Sequence, residues 1–128
     1  MIDVSDLIGI PYKDGGRDKD GMDCYGVCIE VEKRLHRRLK DVVCENHDEA
    51  LAQEYAPTLG LKKIDFIYEG ALLEMVKAGE LHTAVALDER VMIHATINQG
   101  VKISPIYTKM LRNIYEVPEW EESASTTL

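Results

Sequence analysis

The sequence predicts an α+β domain with a mostly antiparallel sheet. Two observations carry that prediction: helical apolar spacing is confined to the first half of the chain, and short strand-like segments fill the second. A third, the length of 128 residues, fits one domain with one core. Residues 1–118 are read as that domain. Residues 119–128, acidic and then Ser/Thr-rich, are read as a flexible tail.

The elements follow in order. Residues 3–8 are short enough for one helical segment, stopped by Gly9 and Pro11. Residues 13–22, rich in Gly and Asp, form a loop. A helix then starts near Asp23 or Cys24, with Cys24, Val27, Cys28, Val31 and Leu35 spaced along one buried face. Arg34, Arg37, Arg38 and Lys40 crowd its C-terminal end, where the helix dipole favours cations, and are read as a solvated end. A second helix is predicted from His47 to Ala56, capped by the Asn46-x-x-Glu49 pattern and stopped by Pro57. Strands are predicted at 64–76, 82–87, 91–96, 101–103 and 112–117. Ser104-Pro105 reads as the start of a short helical turn, with Ser as cap and Pro first inside.

Composition narrows the function. Hydrophobic residues are 45% and charged residues 30%, a globular balance. With 6% aromatic residues, the core falls to Leu, Ile, Val, Ala and Met. The net charge of −8 opposes general nucleic-acid binding, which needs excess Lys and Arg. No apolar run reaches the ~20 residues of a membrane span, so neither nucleic acid nor membrane is an expected partner. The first residues carry two acids and no basic n-region, so no secretory signal is expected. Three cysteines, Cys24, Cys28 and Cys44, cannot all pair internally and read as reduced thiols.

Cys24 sits where the Gly/Asp loop becomes a helix. Main-chain N–H groups and the positive end of the dipole favour thiolate there, the competent nucleophile. Cys28, one turn on, reads as core. Among the four histidines, His36 and His47 lie in polar surroundings. His82 and His94 each sit in an apolar strand, twelve residues apart around Asp88-Glu89-Arg90. Whether they share a face depends on register. A two-residue loop puts them on opposite faces. A three-residue loop at 88–90 aligns Ala84 with His94 and makes the rings diagonal neighbours. One ring then takes the thiol proton and the other orients it, the logic of a catalytic triad. Cys24, Cys28, His82 and His94 also make a set that zinc accepts. Cys28, a full turn inside the helix, argues against it, and no metal or cofactor is expected.

Together these segments resemble the NlpC family of papain-like cell-wall cysteine peptidases. The first block is Gly9-Ile10-Pro11-Tyr12, Gly15-Gly16 and Gly21-Met22-Asp23-Cys24-Tyr25-Gly26-Val27. It is similar to the family's Gly-x-Pro-Tyr, Gly-Gly and Asp-Cys-Ser-Gly stretches. The second, His82 to Leu87 and Met92 to Ala95, is similar to its paired histidine strands. The resemblance implies a papain-like, NlpC-type fold with N-terminal helices on the sheet. It implies Cys24 as nucleophile, His82 as base, His94 as orienting residue, and Tyr12, Asp23 and Tyr25 around the substrate. The implied partner is a peptidoglycan stem peptide. Tyr25 departs from the family's serine, and Gly70-Ala71-Leu72 from its Gly-Asp-Leu. An aromatic after the cysteine resembles a branch found in bacteriophage tail-assembly proteins, which implies phage tail proteins as partners. The expected location is cytoplasmic synthesis, followed by virion association or delivery to the cell wall. Alternatives are a non-catalytic tail-assembly or peptidoglycan-binding protein of this fold, and an amidase or acyltransferase acting on another substrate.

Overall fold

The structure, a computed structural model, describes residues 1–41 and 59–120. The predicted helix from His47 to Ala56, Cys44 and residues 121–128 lie outside the described residues. A two-residue ladder, β1 (Arg17–Asp18) against β2 (Gly21–Met22), leads into α1 (Cys24–Arg34). Six strands follow: β3 (Lys62–Ile64), β4 (Leu72–Lys77), β5 (Glu80–Ala86), β6 (Val91–Thr96), β7 (Gly100–Pro105) and β8 (Leu111–Glu116). They form one sheet, ordered β3-β8-β4-β5-β6-β7, with every neighbouring pair antiparallel. The predicted class therefore holds, with one helix among the described residues rather than several.

α1 buries the face its spacing predicts. Val27, Cys28 and Val31 are wholly buried and pack on Leu72, Val85 and Ile93 of the sheet. The sheet's other face carries a second, smaller cluster around Leu73, Met75, Ala84 and Met92. Asp23 caps the helix, its carboxylate accepting from the Gly26 N–H at 2.7 Å. The helix ends where His36 adopts φ 59°, with Arg37 N–H returning to the Glu32 carbonyl at 2.9 Å.

Five expectations change. Residues 5–9 make turns rather than a helix, because Gly9 at φ 89° leaves to donate to the Val101 carbonyl on β7. The strand predicted at 64–76 is two strands, divided by a turn at Gly70, φ 95°. Ser104-Pro105 does not start a helical turn. β7 continues through it, since an edge strand tolerates a proline's missing N–H, and the 3₁₀ turn falls at Thr108–Met110. The solvated basic end is also largely engaged. Arg34 grips Asp6 with two hydrogen bonds of 2.7 and 2.8 Å, and Arg37 donates to the Val117 carbonyl at 2.8 Å. Arg38 lies over the Trp120 ring, and the main-chain N–H of Trp120 donates to the His36 carbonyl at 2.8 Å. Glu119 makes a backbone β-bridge with Arg37, so the first two residues read as tail are tied to the end of α1 through their main chain.

Glu32 is the anomaly of the core. It is wholly buried, and neither carboxylate oxygen has a hydrogen-bond partner among the described residues. Burial pushes its carboxyl up to about 8 against the opposing pull of Arg37. A raised carboxyl pKa favours folding below the unfolded value of 4.5, and that contribution is lost as pH climbs towards about 8. Glu32→Gln is therefore expected to match the wild type in stability near pH 4.5. By pH 8.5 it should exceed it by an amount on the order of a few kcal/mol. Urea unfolding at both pH values checks this; a gap that does not grow with pH contradicts it.

Candidate active site

The β5–β6 hairpin sets the site. Its loop is the three-residue one, Asp88-Glu89-Arg90. Asp88 Oδ1 accepts from the N–H groups of Arg90 and Val91 at 2.7 and 2.9 Å, closing the turn. The register that results pairs Val85 with Ile93 and Ala86 with Met92. Beyond Val85 and Ile93 the two strands stop pairing. β5 stays on β4, where His82 faces Met75, and β6 stays on β7, where His94 faces Lys102. The parting opens a cleft of about 1080 Å³, which Cys24, His82, His94 and Tyr12 all border.

The two rings meet in that cleft. His82 Nε2 lies 2.8 Å from His94 Nδ1, with centroids 5.0 Å apart and planes at 71°. His94 is 3% exposed. Burial first, then the neighbouring His82, pushes its imidazole down to about 4, so it is neutral at neutral pH. Its far nitrogen, Nε2, lies 2.9 Å from the hydroxyl of Ser104. Sequence reasoning missed Ser104 because Pro105 pointed to a helical turn. Had the alternation of β7 been carried to its end, Ser104 would have fallen on the same face as Lys102, opposite His94.

Cys24 is the first residue of α1 and is 5% exposed. The glycines on either side of it are needed for close approach. A Cβ at Gly26 would lie 2.3 Å from the Gly16 carbonyl oxygen, and one at Gly21 would lie 2.4 Å from Lys13 Cβ. The loop is thus wedged against the helix start. Asp23 binds it there, accepting from Gly15 N–H at 3.1 Å and from Arg17 Nη1 at 2.7 Å, besides Gly26. Asp23 is therefore chiefly cap and clamp, with an edge on the cleft.

Tyr12 is held by a bridge to Met22. Its phenol is raised well above the usual range, by burial first and then by the nearness of Cys24. It stays protonated, with the Asp14 carboxylate as a hydrogen-bond acceptor beside it. Tyr25 sits differently. Its hydroxyl donates to the Lys40 carbonyl at 2.6 Å, Arg17 lies over its ring, and it is not among the cleft-lining residues. Arg17 also pairs with Asp41 at 3.1 Å, so Tyr25 helps build the wall behind the cleft's acidic end. Cys28 is sealed in the helix-facing core, and burial pushes its thiol up. Among the described residues no cluster of three His, Cys, Asp or Glu side chains is placed to hold a metal.

A thiol at a helix start, sharing one cleft with a strand-borne imidazole pair, is a site of the cysteine–histidine class. The chain belongs to the NlpC/P60 family, whose model matches residues 9–117. Among solved structures it is similar to the NlpC/p60 domain of the peptidoglycan hydrolase SagA. The identity is 27% and the TM-score 0.61, over 86% of this chain and 89% of that one. No curated protein matches.

Proposed function

We propose that the protein is a cysteine peptidase that hydrolyses amide bonds in peptidoglycan stem peptides. The observation that carries this is the 2.8 Å contact between His82 Nε2 and His94 Nδ1, in a cleft that also holds Cys24 at the start of α1. With Nε2 occupied by His94, the remaining nitrogen of His82, Nδ1, is the one left for the thiol proton. The similarity to a peptidoglycan hydrolase domain supports the substrate class.

The reaction runs in two steps. Cys24 thiolate attacks the amide carbonyl, and His82 as imidazolium gives its Nδ1 proton to the leaving amine. Water then attacks the thioester, with His82 taking its proton. Main-chain N–H groups at the start of α1 stabilise the oxyanion. His94 stays neutral throughout, so it orients His82 without competing for the proton. Tyr12 presents its hydroxyl to the substrate, while Asp23 and Tyr25 shape the cleft end behind the sulfur. Incubating the protein with purified muropeptides and weighing the products tests this and names the bond. Shortened stem peptides are expected; intact muropeptides after prolonged incubation would contradict the reading.

A second reading adds a setting rather than a different chemistry. The aromatic Tyr25 in place of the family's serine supports a role in bacteriophage tail assembly, with tail proteins as partners and the virion as the location. Co-purification of the protein with tail particles tests it. Its absence from them would remove that setting and leave the peptidase intact.

A further inference from the structure

A buried hydroxyl contacts the histidine pair without bordering the cleft. Ser104 is 7% exposed, lies behind His94, and is not among the cleft-lining residues. Its oxygen is 2.9 Å from His94 Nε2 and 3.2 Å from the carbonyl oxygen of Pro105, to which it donates. We propose that Ser104 is a positioning residue that fixes His94 as its Nε2–H tautomer, so that Nδ1 is always an acceptor for His82. This deepens the peptidase reading and rests on His82 being the base.

A hydroxyl has one hydrogen. Spent on the Pro105 carbonyl, it leaves the Ser104 oxygen as an acceptor towards His94. His94 Nε2 must then carry the ring's hydrogen. Being neutral, His94 has no second one, so Nδ1 presents a lone pair to His82 Nε2. That is what the mechanism requires. When His82 takes the thiol proton at Nδ1 it becomes an imidazolium, and both its nitrogens are donors. Only an acceptor at His94 Nδ1 can meet Nε2–H. In the other tautomer two N–H groups would face each other across 2.8 Å, and the ion pair with the thiolate would be opposed.

The register makes the placement possible. Ser104 pairs with Met92, two residues before His94, so its hydroxyl lies diagonally under the ring on the same face. The Pro105 carbonyl that takes its hydrogen is the next residue on the same strand, so the direction of the chain is set locally. Thr keeps the hydroxyl; Ala removes it with little loss of volume.

Two measurements on Ser104→Ala and Ser104→Thr test this in the full chain. In ¹⁵N spectra of the imidazoles, the wild type and Ser104→Thr are expected to show His94 protonated at Nε2 only. Ser104→Ala is expected to show a mixture of tautomers. On muropeptides, Ser104→Ala is expected to lose about tenfold in kcat at near-constant KM, the scale of one lost hydrogen bond. Ser104→Thr should restore most of it. Wild-type His94 protonated at Nδ1 would overturn the proposal, as would a kcat loss in Ser104→Ala with an unchanged tautomer, or a changed tautomer with unchanged kcat. If Ser104→Ala fails to fold, Ser104→Cys, which keeps a weaker donor, takes its place under the same criteria. Should the wild type cleave no muropeptide, the peptidase reading fails, while the tautomer spectra still decide the role of Ser104.

Discussion

Cys24→Ala is expected to abolish release of peptide fragments from muropeptides while leaving the fold intact. The Cβ remains, the N-cap by Asp23 is untouched, and the lost sulfur faces the cleft, so the helix has no reason to move. Loss of a nucleophile in an acyl-transfer enzyme removes a factor on the order of 10⁶ in rate. His82→Ala is expected to cost about 10²–10⁴, the range for a general acid–base residue. His94→Ala should weaken the reaction less, because it removes an orienting contact and leaves the base. Mass spectrometry of muropeptide digests reads all three. Full activity in Cys24→Ala would remove the mechanism. A wild type and variant that bind muropeptides equally and cleave neither would favour the non-catalytic member of the same fold.

Gly26→Ala is expected to lower stability and activity together, although residue 26 does not border the cleft. An alanine normally favours a helix over glycine by roughly 1 kcal/mol. Here its Cβ would sit 2.3 Å from the Gly16 carbonyl oxygen, a backbone atom that cannot rotate away. The loop 13–22 must lift, stretching the Asp23 contacts to Gly15 and Arg17 and shifting Tyr12 with it. Overpacking of this kind costs about 1–3 kcal/mol. Thermal denaturation should show a lower Tm, with kcat falling as the cleft wall moves. A rise in Tm, as helix propensity alone would give, contradicts the wedge.

What the sequence showed and what it hid follow from the kind of signal each residue carries. α1 was legible because its apolar spacing and the Asp23 cap are local. The histidine pair was legible only as a choice between registers, and Asp88 decided it by closing a three-residue turn. The parting of β5 from β6 was not legible. It depends on each strand having a second partner, β4 and β7, that holds it away. Ser104 was misread since Ser-Pro is a local helix-start signal, overridden here by an edge-strand position. Asp23 and Tyr25 were placed near the substrate by resemblance. Their side chains turn out to be engaged with Arg17, the glycine loop and Lys40. The run at 119–120 reads as the start of a tail because its main-chain partners, His36 and Arg37, lie far back in the sequence at the end of α1.

The most direct measurement is the pH dependence of alkylation at Cys24, followed by peptide mapping, in the wild type and in His82→Ala. An imidazole that holds the thiolate predicts rapid, Cys24-selective labelling at neutral pH. The rate should fall in acid and drop when His82 is removed. Labelling of Cys24 no faster than an ordinary thiol, or a rate indifferent to the loss of His82, would contradict the account.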